Sequence, residues 1–127
     1  MLMIWERLLL VAAGGALGAL ARYAIEGIVN DRLGPPVLGT FIVNVSGALA
    51  LGLFVGLTEG RWLAPALARP AIAIGFLGAY TTFSTLMFES ADLAESGSLA
   101  TAFVNVAGSA AAGLLAVYAG LAIGRNV

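Results

Sequence analysis

Apolar positions fill four long stretches of the chain, and short polar segments set with glycine and proline separate them. Three stretches carry no charge at all: Leu33–Thr58 with 26 residues, Pro70–Phe88 with 19 and Ser96–Gly124 with 29. Each meets the roughly 20 residues that a helix needs to cross a bilayer. A fourth apolar segment runs from Leu8 to about Val29, interrupted by Arg22 and Glu26. The pattern predicts an all-α integral membrane protein, one four-helix domain over 1–127 with spans at about 8–29, 37–57, 70–90 and 99–123. The connectors Asn30–Pro36, Thr58–Arg69 and Ala91–Ser98 leave no room for an extramembrane domain. A signal peptide is the rival reading of the start, since Leu8–Ala16 could be its core and Ala19-Leu20-Ala21 resembles a cleavage site. Glu6 cancels Arg7 where such a peptide carries net positive charge, which favours a retained helix.

Composition agrees with burial in lipid. Hydrophobic residues make up 61% of the chain and charged residues 10%, against about a quarter charged in a soluble domain. A net charge of -1 without basic clusters offers no footprint for nucleic acid. No Cys or His is present, which excludes disulfides, thiol chemistry, the usual zinc ligand sets and imidazole acid-base work. An enzyme is therefore not expected. Four spans put both termini and the second connector on one side, with Arg7, Arg61, Arg69 and Arg125. The other side holds Arg32, and Arg22 if the end of the first helix is counted. This is a modest positive-inside bias towards cytoplasmic termini, so charge specifies orientation only loosely.

Residues four apart share a helix face, and small or polar residues recur at that spacing. Gly14, Gly18 and Arg22 form one line, and Asn44, Ala48, Gly52 and Gly56 another. The Gly-x-x-x-Gly pairs let helix backbones approach closely where lipid removes the hydrophobic drive to associate. Thr101, Asn105, Ser109 and Gly113 make a polar ladder on the fourth span, faced in principle by Thr40 and Asn44. Such lines are either interhelical glue, worth ~0.6 to 2 kcal/mol per contact, or a hydrogen-bonding permeation track. Thr40–Leu53 and Thr101–Leu114 also align without gaps through a shared Val-Asn-Val, a similarity that an ancient duplication could leave but that chance or convergence on one packing solution explains better in so biased a composition.

The third span is the most informative. In Gly75-Phe76-Leu77-Gly78-Ala79-Tyr80-Thr81-Thr82-Phe83-Ser84-Thr85, four hydroxyl residues fall within five positions, just past the middle of the apolar run. β-branched and hydroxylated residues after two glycines favour a break in the helix at mid-membrane. A break frees carbonyls at the end of one half, which suit a cation, and N–H groups at the start of the next, which suit an anion. Packing of these hydroxyls against a neighbouring helix is the plainer alternative.

Gly75-Phe76-Leu77-Gly78 followed by Thr81-Thr82-Phe83-Ser84-Thr85 resembles the signature of the Fluc (CrcB-like) fluoride channels. Gly15-x-x-Gly18-Ala19-x-x-Arg22-Tyr23 and Gly39-Thr40-x-x-x-Asn44-x-x-Gly47 add matches, so the resemblance covers essentially the whole chain. It implies a dual-topology homodimer of antiparallel copies, with two fluoride pores near the interface. It further implies that Asn44 and Phe83 line a pore, with Thr40, Thr82, Ser84, Thr85 and Ser109 along its polar track and Glu89 near its end. Arg22 matches the family's vestibule-side arginine. Backbone carbonyls of Gly78 and Thr81 from both copies would hold a structural Na⁺ at the dimer centre. The chain departs from the family pattern at Leu86 and Asn105, where a second phenylalanine and a tyrosine are usual.

Physical chemistry fits these roles. An ion entering low dielectric loses hydration worth on the order of 20 kcal/mol by the idealised Born estimate, so a pore must replace water with hydrogen bonds. An amide N–H, hydroxyl protons and the partially positive edge of a Phe83 ring can do so for an anion. The resemblance thus implies passive fluoride export across a bacterial inner membrane, conferring fluoride resistance, with lipid and fluoride as partners. A small proton-coupled multidrug antiporter is the alternative, but it needs a carboxylate deep in its chamber, and Glu26 and Glu89 lie near predicted helix ends. A membrane assembly protein with no transport activity is a third reading.

Overall fold

The computed structural model describes residues 1–60 and 65–127. Among them are four helical runs long and apolar enough to span a bilayer: Ile4–Leu33, Pro36–Thr58, Ala66–Glu95 and Leu99–Asn126. Helices α1 (Ile4–Leu33) and α2 (Pro36–Thr58) are continuous. The third run is built in pieces: a turn α3 (Pro65–Ala68), a π-helix (Arg69–Leu77), a turn α4 (Gly78–Tyr80) and then α5 (Phe83–Glu95). Helix α6 (Leu99–Asn126) closes the chain. Helices outrun the charge-free stretches because their polar end turns can continue into the interface. Glu6 caps α1 by accepting the Met3 N–H at 2.8 Å, and Pro36 starts α2 at a position that needs no N–H. Gly34 (φ 116°) and Gly97 (φ 91°) turn the chain between helices in conformations that suit glycine.

Glycine and backbone make the closest contacts of the interior, with a few larger side chains such as Val43, Leu77, Tyr80 and Leu86 buried beside them. Gly14 and Gly18 of α1 lie against the backbone of Ala71 and Phe76 in the π-helix, while Gly75 faces Val11 and Gly15 in return. Likewise Gly52 and Gly56 of α2 meet Val117, Leu121 and Gly124 of α6, and Gly120 and Gly124 meet Leu49, Leu53 and Leu57. Both pairs run parallel, since residue numbers rise together along each contact. The sequence pattern anticipated Gly14-Gly18 and Gly52-Gly56 as close-approach faces but did not single out Gly120-Gly124. Large apolar side chains point outward instead: Leu9, Leu17, Leu20, Leu115 and Tyr118 are all more than 60% exposed, as a lipid-facing surface requires.

Arg125 Nε donates to Glu59 Oε2 at 2.8 Å, joining the end of α6 to the end of α2. That pair puts the C-terminal turn and the second connector at the same end, as four spans demand. The guanidinium holds the Glu59 carboxyl below the usual glutamate range. Arg61, counted above on this side, lies outside the described residues.

A methyl group at Gly120 would run into the Leu49 carbonyl oxygen and stand 2.6 Å from the Leu53 nitrogen, and both neighbours are backbone that cannot swing aside. Gly120→Ala is expected to lower unfolding stability in detergent by about 1–3 kcal/mol through overpacking. Gly27 has nothing within 4 Å of such a methyl, so Gly27→Ala should hold or raise the melting temperature.

Candidate functional site

The third helical run breaks where the hydroxyl cluster predicted. Thr81 (φ -87°, ψ 153°) and Thr82 (φ -146°, ψ 110°) are extended between α4 and α5. A continuous helix would carry the Thr82 N–H to the Gly78 carbonyl. It donates instead to Asn44 Oδ1 at 2.7 Å, while Asn44 Nδ2 donates to the Thr82 carbonyl at 3.0 Å. One amide side chain of α2 thus pairs with both polar groups of one extended residue, as a neighbouring strand would.

Other side chains take up the remaining loose groups. Arg22 Nε donates to the Ala79 carbonyl at 3.1 Å, and its Nη1 lies 3.9 Å from Glu26 Oε2. Thr82 caps α5, its Oγ1 accepting the Thr85 N–H at 3.2 Å and donating to Thr85 Oγ1 at 2.9 Å. Ser84 Oγ lies 3.4 Å from the same hydroxyl. The Thr81 hydroxyl bonds back to the Leu77 carbonyl at 3.0 Å. Gly47 of α2 makes room for the break, since a methyl there would run into Tyr80 and the Thr81 side chain. Tyr80 is pinned on its other edges by Ser46, 2.9 Å from its hydroxyl, and by a stacked Phe76.

With the Thr82 N–H on Asn44 and the Thr85 N–H on Thr82 Oγ1, neither closes back onto the Gly78 or Thr81 carbonyl. These are hard oxygen donors at the negative end of a half-helix, and they fit a hard cation. No cluster of three or more acidic, His or Cys side chains suited to a metal occurs among the described residues.

A groove of about 270 Å³ opens beside the break, lined by Asn44, Thr81, Phe83, Leu86, Met87, Val106, Ser109 and Ala110. The Phe83 ring is 74% exposed, while Leu86 is buried. Ser109 Oγ is buried with no hydrogen-bond partner in the chain, so a donor or acceptor inside this groove stands unused. Thr40, fully buried, donates to Glu89 Oε1 at 2.7 Å, and Glu89 Oε2 has no partner. Of the expected site, Asn44, Thr81, Phe83 and Ser109 share this groove, while Thr40, Glu89 and Arg22 are not among its lining residues. The two polar lines do not meet directly. Thr40 and Asn44 bond to the third run, Asn105 donates to Ser90 at 3.0 Å, Thr101 is exposed and Gly113 faces open space. Sequence reasoning missed Ser90, whose hydroxyl resembles any other serine until the helices are assembled.

The match to known proteins spans the chain. Residues 9–121 fit the family model described as CrcB-like protein, Camphor Resistance (CrcB). A protein of Maridesulfovibrio salexigens named fluoride-specific ion channel FluC is 43% identical over 96% of this chain and 98% of its own length. One of the same name from Nitrobacter winogradskyi is 42% identical over 98% and 100%. A third, from Acidobacterium capsulatum, is 44% identical over 92% and 94%. With this family match laid over four spanning helices and a third one broken at its hydroxyl cluster, the chain belongs to the CrcB-like family.

Proposed function

We infer that this chain is a fluoride-selective channel of the bacterial inner membrane, letting cytoplasmic fluoride leave passively down its electrochemical gradient. The observation that carries the reading is 41–44% identity across nearly the whole length to proteins named fluoride-specific ion channels. Four apolar spans and the absence of His and Cys agree with passive conduction. The antiporter alternative finds no support: Glu26 and Glu89 are engaged by Arg22 and Thr40 towards one end of the bundle.

In this reading fluoride passes through the groove beside the break. The Asn44 amide, the hydroxyls of Thr40, Thr82, Ser84, Thr85 and Ser109, and the edge of Phe83 replace its hydration, with Glu89 near the end of the track and Arg22 by the vestibule. The unused Ser109 hydroxyl and the largely exposed Phe83 ring support that assignment. The groove beside the break is open on the single chain, so a closed pore requires a second copy, and we assign an antiparallel homodimer to supply it. The freed Gly78 and Thr81 carbonyls of two copies would then hold Na⁺ at the centre. Bound there, Na⁺ supplies positive charge that offsets the converging negative helix ends.

Purified protein in liposomes should release fluoride rapidly once an electrical shunt is supplied, with little chloride release and no proton coupling. Replacing Na⁺ by a large organic cation should reduce both that flux and thermal stability. Absence of fluoride release overturns the channel, and parent-like behaviour without Na⁺ overturns the cation site. A terminal tag should react from both faces of intact inner-membrane vesicles; reaction from one face alone contradicts the antiparallel dimer.

A further inference from the structure

We propose that Asn105 is a positioning residue: through Ser90 it sets the rotation of α5 and so the direction in which the Phe83 ring stands. The inference rests on the channel reading for its functional consequence but not for its geometry. Two consecutive residues of α5 are tied to two different helices. Glu89 accepts from Thr40 of α2 at 2.7 Å, and Ser90 accepts from Asn105 Nδ2 of α6 at 3.0 Å. A helix held on two faces at one level cannot roll about its axis.

Ser90 is suited to this task because it is buried and its hydroxyl is fully committed. Its proton goes to the Leu86 carbonyl at 2.7 Å, which leaves its oxygen to accept from Asn105. The chain of donors therefore has one direction, amide to hydroxyl to carbonyl, and fixes the sense of the Asn105 amide. Phe83, Leu86, Met87 and Ser90 follow the i, i+3, i+4, i+7 spacing of one helical face. The first three line the groove, as do Val106 and Ser109 next to and one turn beyond Asn105. Asn105 thus grips the far end of the face that carries Phe83, while Asn44 grips the near end at Thr82.

The test combines a ring probe with transport. Full-length protein carrying 4-fluorophenylalanine at position 83 is followed by ¹⁹F NMR, and fluoride efflux is measured at matched dimer content. Asn105→Ala and Ser90→Ala should each move or split the ¹⁹F resonance and cut efflux about tenfold. The double variant should lose no more than either single one, because both remove the same bond. Ser90→Thr keeps the hydroxyl and should behave like the parent. An unmoved resonance in Asn105→Ala overturns the proposal, as do losses that multiply to about a hundredfold in the double variant. So does a fall in efflux that merely tracks lost thermal stability. A parent protein that releases no fluoride overturns the channel reading instead, while the ¹⁹F resonance still decides whether Asn105 sets the ring.

Discussion

Everything distinctive in this structure depends on one side chain pairing with one stretch of backbone in the middle of the membrane. Lipid offers no water to an unwound helix, and each abandoned N–H or carbonyl there costs kcal/mol on the order of the bond it has lost. Asn44 meets that cost at Thr82 by accepting from its N–H and donating to its carbonyl. Arg22 does the same for the Ala79 carbonyl, and the Thr82 hydroxyl for the Thr85 N–H. Neither the Thr82 N–H nor the Thr85 N–H returns to the carbonyl that a continuous helix would give it, and the Ser109 hydroxyl beside the break has no partner in the chain. A fully satisfied helix would be more stable and would have nothing to offer an ion.

Placing a break so deep requires the neighbouring helices to come close and stay there. Glycine does this, since it lets α1 lie on the π-helix and α2 on α6 at backbone contact. The π-helix over Arg69–Leu77 belongs to the same design: its wider turn and the missing N–H of Pro70 loosen the run before the break. Most large apolar residues are then released to the outside, where they face lipid, and only a few, Val43, Leu77, Tyr80 and Leu86 among them, are buried.

Much of this was legible in the sequence, and the reason is that the membrane narrows the choices. Charge-free length sets three of the four spans and a long apolar run sets the first, and crowded hydroxyls after Gly75 and Gly78 locate the break to within a residue or two. What stayed hidden are pairings between helices. Asn44 reads as a pore or packing residue, but its grip on the Thr82 backbone depends on the register of α2 against the third run. Ser90 carries no sequence signal at all, and Asn105, which departs from the family pattern, acquires a partner only when α6 packs on α5. The π-helix likewise has no pattern beyond Pro70, because one extra residue per turn leaves the apolar content unchanged. Gly113, in line with the polar ladder of the fourth span, meets nothing within 4 Å, a reminder that spacing alone does not name the face a neighbour uses.

Hydrogen exchange at the Thr82 amide reports whether the Asn44 amide holds the break open. In the parent that N–H should be protected although it lies outside any helix. Asn44→Ala removes the acceptor, and a lost partner worth about 1–3 kcal/mol should speed exchange at Thr82 roughly tenfold or more. Equal protection in parent and variant would mean that something other than Asn44 holds the third helix open.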